Sequence, residues 1–102
     1  MKLLLVFNPH AALGRAAALM PDVLSALESF AKVEVFCTRG RGDATRFLAG
    51  AALDNFDGVI AAGGDGTLFE VLNGLYCNDA GNKPPLGLLP VGTGNAFSRD
   101  LG

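Results

Sequence analysis

A chain of 102 residues, half of them apolar, is the size of one small domain that buries most of the surface its unfolded form exposes, with no room for a second. A formal charge of −2 and a pI of about 5.1 exclude the basic footprint of a nucleic-acid binder; Arg39, Arg41 and Arg46 form a local trio that reads as a solvated loop and helix start. The longest apolar runs, Leu3 to Phe7 and Ala16 to Met20, fall far short of the ~18 residues of a membrane span, and Met1-Lys2 followed by five apolar residues and Asn8-Pro9 is not a signal peptide, so a cytosolic domain is expected.

Lys2 to Phe7 predicts a buried strand, a short Leu/Val/Phe run closed by the turn-forming pair Asn8-Pro9. Met20, Val23, Leu24, Leu27 and Phe30 then recur at threes and fours, as one face of a helix requires. Pro21 either kinks that helix or marks the first turn of its main segment. Val33 to Cys37 is a second strand, and Ala44, Phe47, Leu48, Ala51 and Ala52 form the next helical stripe, with Gly42-Asp43 ahead of it as a cap. Gly58 to Ala62 is the third strand. Leu68, Val71, Leu72, Leu75 and Tyr76 repeat as a third stripe, Cys77 to Pro85 is a loop, Leu86 to Leu89 is the fourth strand, and Gly94 to Leu101 opens one more helix. Cys37 and Cys77 have neither disulfide-framework nor zinc spacing and are expected as packed thiols.

Strands alternating with helices imply βαβ units and a mostly parallel sheet covered on both faces, a three-layer α/β/α fold. Ligands of such sheets bind beyond the carboxyl ends of the strands. The turns Asn8 to Gly14, Thr38 to Asp43, Gly63 to Thr67 and Val91 to Asn95 all fall at that end, and loops after strands one and three favour the order 2-1-3-4.

Two of these turns carry the candidate chemistry. In Gly63-Gly64-Asp65-Gly66-Thr67, small residues free backbone N–H groups at a helix start, which makes a pocket for phosphate. Asp65 puts a negative charge where negative charge is to be received, which fits if a cation sits between them or if the acid handles a proton; an acid that only caps the helix is the structural alternative. Thr67 to Glu70 also reads as a capping box, Thr-x-x-Glu ahead of an apolar stripe. The second turn, Gly92-Thr93-Gly94-Asn95, offers a hydroxyl and an amide that orient phosphate or ribose without added charge, or serve only the turn. No P-loop and no complete dinucleotide fingerprint is present, and His10, without a nucleophilic partner, reads as a loop residue.

Taken in order, "FNP" (Phe7 to Pro9), "CTRGRGDA" (Cys37 to Ala44), "GGDGTLFEVLNG" (Gly63 to Gly74) and "PVGTGNAFSRDLG" (Pro90 to Gly102) resemble the catalytic domain of the diacylglycerol kinase-like lipid kinases over essentially the whole chain. The Gly-Gly-Asp-Gly-Thr run is shared with NAD kinases; the Pro-x-Gly-Thr-x-Asn element points to the lipid branch. The resemblance implies a Rossmann-like fold of the NAD kinase/diacylglycerol kinase type and ATP-dependent, magnesium-assisted phosphorylation of a lipid hydroxyl, on diacylglycerol or a sphingoid base. It implies nucleotide contacts from Asn8 and Pro9, Thr38, the run Gly63, Gly64, Asp65, Gly66, Thr67 and Glu70, and from Gly92, Thr93 and Asn95. Asp65 falls where the family places an acid near the phosphates, a base in some branches and a candidate ligand for Mg2+; in bacterial members resembling this chain the proton acceptor is an acid of a second, β-rich domain, before which this chain stops. Partners implied are ATP, a lipid acceptor, a peripheral contact with the inner membrane surface in the full-length protein and room for a homo-oligomer.

The chain departs from the family twice. The loop after Asn-Pro usually carries Ser-Gly or Gly-Gly, here His10-Ala11-Ala12 with the first glycine at Gly14, and Phe69 replaces the usual Asn, facing the cleft or simply packing. Two rival functions stay open at this level: NAD kinase-like phosphorylation of a soluble acceptor, and a nucleotide-binding or protein-interaction module without catalysis. Alone, the chain is expected to bind ATP weakly and turn over little.

Overall fold

The computed structural model describes residues 1–10, 14–81 and 83–90. Among these residues four strands, β1 (Lys2–Phe7), β2 (Lys32–Cys37), β3 (Gly58–Gly63) and β4 (Leu86–Pro90), alternate with three α-helices, α1 (Arg15–Glu28), α2 (Asp43–Ala49) and α3 (Asp65–Cys77). All pairings are parallel and the sheet order is β2-β1-β3-β4, as expected.

The order fixes the layers. The chain moves one way from β1 to β2 and the other way from β2 to β3 and β3 to β4; right-handed crossovers therefore send α1 to one face and α2 and α3 to the other. Side-chain alternation follows suit. Leu5 and Phe7 pack with Ala16 and the Leu19, Met20, Val23 and Leu27 face of α1. Leu4 and Val6 point the other way, into Ala44, Leu48, Val71 and Leu75 of α2 and α3. That is why β1 reads as an unbroken apolar run: both of its faces are covered.

Several elements differ from the sequence expectation. α1 begins at Arg15, so Pro21 lies inside it and not in its first turn, and Phe30 falls beyond its end and is exposed; the helix-favouring run Arg15 to Met20 carries the helix into the proline. In α3 the stripe is narrower than its apolar spacing suggests. Val71 and Leu75 are buried, but Leu72 and Tyr76 are exposed, and the rest of the buried seam is Thr67 and Gly74. Gly74 is there because α2 lies against it: a Cβ would come within 2.7 Å of Leu48 Cβ and 3.0 Å of the Thr45 carbonyl oxygen. Both cysteines are free and exposed, not packed, since Cys37 ends an edge strand and Cys77 ends α3 on its solvent side.

The segment after α3, expected as a plain loop, contains a structural polar residue. Buried Asn78 shares its side-chain amide between the carbonyl oxygens of Leu48 (2.6 Å) and Ala51 (2.9 Å) while its Oδ1 accepts the Ala80 N–H at 2.8 Å. It ties off the carboxyl end of α2, whose last carbonyls have no partner within the helix. The final helix expected at Gly94 to Leu101 lies outside the described residues.

Candidate functional site

With order 2-1-3-4 the connections leaving β1 and β3 run in opposite directions, which opens a crevice between the carboxyl ends of those strands. A cavity of about 390 Å³ lies there, within the range of small-molecule sites. Its lining comes from three loops: Asn8 and His10 after β1, Thr38, Gly40 and Arg41 after β2, and Gly64, Gly66 and Thr67 after β3. Ala44 and Glu70 close it from α2 and α3.

The loops after β1 and β2 are tied to the sheet by extending the ladder. The Asn8 N–H donates to the Ala62 carbonyl (3.2 Å) and the Thr38 N–H to the Phe7 carbonyl (2.8 Å), so both side chains leave the strands in fixed register. Asn8 then turns the chain, its Oδ1 accepting the His10 N–H at 2.9 Å. After Thr38, Gly42 adopts φ 86° as the N-cap of α2, a left-handed conformation that favours glycine. Of the pair Gly42-Asp43 expected as the cap, Gly42 takes the N-cap place and Asp43 makes no cap hydrogen bond; its carboxylate reaches back to accept the N–H groups of Arg39 (2.7 Å) and Gly40 (3.0 Å) and pairs with Arg46 at 2.6 Å. The Arg39 amide above all, helped by Arg46 and Gly40 against some desolvation, holds the Asp43 carboxyl below its ordinary range. Folding that loop over Asp43 is what brings Gly40 and Arg41 to the cavity wall.

The glycine run is built differently from a capping box. α3 starts at Asp65 with Gly64 as an extended N-cap, φ −93° and ψ −165°, and no side chain caps it. The first intrahelical bond is Leu68 N–H to the Gly64 carbonyl, 3.1 Å, which leaves the amides of Asp65, Gly66 and Thr67 without partners inside the helix. Thr67 is therefore not the N-cap: it sits in the first turn with its side chain buried against Gly63, where an added Cβ would stand 2.8 Å from Thr67 Cβ. Glu70 does not return to Thr67; its Oε1 accepts the N–H of Ala44 at 3.3 Å. Among the described residues nothing lies within 4 Å of a Cβ added at Gly64 or Gly66, so this helix start is bare of side chains there. Such a helix start receives an anion.

The structure thus brings Asn8, Thr38, Gly64, Gly66, Thr67 and Glu70 to one cavity. Pro9 lines a shallower adjoining cavity of about 640 Å³ that shares His10 and Thr38. Gly63 lies beneath the loop, and Asp65 is exposed at the start of α3 without lining the cavity. Neither ion pair among the described residues, Lys2–Glu34 or Asp43–Arg46, involves Asp65. Gly92, Thr93 and Asn95 lie outside the described residues. No set of three His, Cys, Asp or Glu side chains comes together among the described residues; the Asp65 carboxylate, in neither ion pair among them, is a single oxygen donor of the kind that Mg2+ supplements with phosphate oxygens and water. His10, Gly40, Arg41 and Ala44 were not legible as site residues. His10 and Arg41 read as loop, and only their place just beyond a strand end hinted at the cavity. Phe69 is exposed, off the buried seam, and does not line the cavity.

Comparison with known proteins identifies the lineage of this loop set. The sequence profile described as the diacylglycerol kinase catalytic domain matches residues 2–102. The chain belongs to that family. Relatives named diacylglycerol kinase include one from Staphylococcus saprophyticus, 41% identical over 98 residues (95% of this chain, 32% of that protein), and one from Bacillus subtilis strain 168, 42% identical over 99 residues (96% and 32%). A crystal structure of a diacylglycerol kinase from Bacillus anthracis strain Sterne superposes with a TM-score of 0.76 at 35% identity, covering 99% of this chain and 34% of that one. The chain therefore spans about a third of the length of the diacylglycerol kinases it matches. Among the described residues no helix is long and apolar enough to cross a membrane.

Proposed function

We propose that this domain is the nucleotide-binding part of an ATP-dependent lipid kinase that transfers the γ-phosphate to the hydroxyl of diacylglycerol or a closely related lipid. The observation that carries the proposal is the convergence, at the crevice between β1 and β3, of the uncapped first turn of α3 with the loops after β1 and β2. Its free amides and bare glycines suit the phosphates, and Asn8 and Thr38 suit polar groups of the nucleotide. Gly92, Thr93 and Asn95 join this set on the chemistry of their turn and the family resemblance, both read from the sequence.

Catalysis in this reading is positioning and charge neutralisation. The amides of the glycine run and Arg41 face the phosphate oxygens, and Asp65 is the residue that would hold Mg2+, which supplies charge compensation when bound. The proton of the lipid hydroxyl passes either to Asp65 or to an acid of a further, β-rich domain in the full-length protein, where contact with the inner membrane surface would deliver the lipid. Relatives three times as long as this chain support that division of labour.

The test is calorimetry of this chain with Mg-ATP, together with transfer of labelled phosphate to dispersed diacylglycerol by the chain and by its full-length parent. Weak binding by the chain and lipid phosphorylation by the parent are expected. Full activity of the short chain would refute the division of labour, and absence of nucleotide binding in both would refute the kinase reading.

A further inference from the structure

Glu70 lines the main cavity, yet one of its carboxylate oxygens is already engaged: Oε1 accepts the N–H of Ala44, in the first turn of α2, at 3.3 Å. That N–H has no partner within its own helix. The Thr45 hydroxyl donates to the Glu70 carbonyl oxygen at 2.8 Å, so the same residue is held by α2 twice. One turn further along α3, bare Gly74 lets the Thr45 and Leu48 side of α2 close in. These contacts lie directly between two walls of the cavity. The first turn of α2 carries the loop Thr38 to Gly42, folded onto Asp43, and the first turn of α3 carries the glycine run.

We propose that Glu70 is a positioning residue: by holding the Ala44 amide it sets the distance between the Thr38–Gly42 wall and the Gly64–Thr67 wall, and it acts neither as a metal ligand nor as a proton acceptor. The proposal rests on the nucleotide reading of the cavity. Its chemical content is that an oxygen acceptor is needed at this place and a negative charge is not. A neutral amide oxygen accepts the same N–H bond, which separates this role from metal binding or base catalysis.

The experiment measures Mg-ATP binding calorimetrically for the chain and for Glu70→Gln, Glu70→Ala and Thr45→Val, over a series of Mg2+ concentrations. Glu70→Gln is expected to bind within about twofold of the parent, whereas Glu70→Ala and Thr45→Val each weaken binding by roughly three- to tenfold, the size of one lost hydrogen bond, with an unchanged Mg2+ dependence. Equal impairment of Glu70→Gln and Glu70→Ala, a shifted Mg2+ dependence, or parent-like binding by Glu70→Ala overturns the assignment. A parent chain that binds no nucleotide counts against the kinase reading instead. In that case hydrogen exchange at the Ala44 amide decides the link by itself: slow exchange in the parent and Glu70→Gln with faster exchange in Glu70→Ala sustains it, and equal exchange in all three overturns it.

Discussion

Two glycines of α3, eight residues apart, separate packing from binding. At Gly74 a methyl group would stand 2.7 Å from Leu48 Cβ, 3.0 Å from the Thr45 carbonyl oxygen and 3.1 Å from Thr45 Cα. Alanine is intrinsically better than glycine in a helix interior by about 1 kcal/mol, but overpacking costs about 1–3 kcal/mol, and the upper end applies because two of the three contacts are backbone. Relief then requires α2 to move as a body. We expect Gly74→Ala to lose about 1–2 kcal/mol, a fall in Tm of roughly 5–15 °C for a domain of this size. Gly66 is the internal control, because nothing lies within 4 Å of its added Cβ. Gly66→Ala should keep or slightly raise the Tm while weakening Mg-ATP binding, since its methyl enters the space above the free amides. Thermal and urea unfolding followed by circular dichroism, with calorimetry on the same samples, give both readings. A Gly74→Ala variant that melts at or above the parent would refute the packing argument, and unchanged nucleotide binding by Gly66→Ala would refute the placement of phosphate over the first turn.

Asn78→Ala should cost about 1–3 kcal/mol in urea unfolding, because the Leu48 and Ala51 carbonyls lose their shared donor; Asn78→Asp should be worse at neutral pH, with a carboxylate facing those oxygens. Asp43→Asn should destabilise the chain at neutral pH. The Asp43 carboxyl is lowered from its ordinary value of 3.8, so its contribution is fully present above that value and disappears as pH falls through the lowered one; the gap between variant and parent in unfolding titrations should close in acid, and a gap independent of pH would contradict the ionic role. Arg41 lines the cavity and takes part in neither ion pair among the described residues. Arg41→Gln should therefore leave the Tm in place, weaken Mg-ATP binding several-fold and reduce its salt dependence, and a variant with unchanged affinity at low salt would remove Arg41 from the phosphate-facing set.

The sheet was legible in the sequence because its signals are local. Short apolar runs end in Asn8-Pro9, Thr38 or Gly63, and the alternation with helical stripes leaves few topologies, so the strand order and the gathering of three loops at one edge follow. What escaped was set by contacts between elements. The local Thr-x-x-Glu pattern points to a cap at Thr67, but tertiary packing draws Thr67 under the loop and gives Glu70 a partner 26 positions away. No pattern in α2 or α3 alone says that their seam is closed by a glycine, or that Asn78 will reach back to Leu48. Leu72 and Tyr76 keep the apolar spacing yet face outward, since spacing records which residues share a face and not how much of that face is covered. Gly92 to Asn95, read from their turn chemistry and the family motif, lie outside the described residues.

Among the four described strands β1 comes first in the chain yet lies inside the sheet, paired on one side with residues 32–37 and on the other with residues 58–62. During synthesis its apolar stretch must therefore wait for a neighbour, first half-satisfied when β2 arrives and fully enclosed only after β3 has been added. These four strands therefore complete their pairing outward from β1, and the interval before β3 emerges leaves this stretch of the nascent chain open to unwanted association.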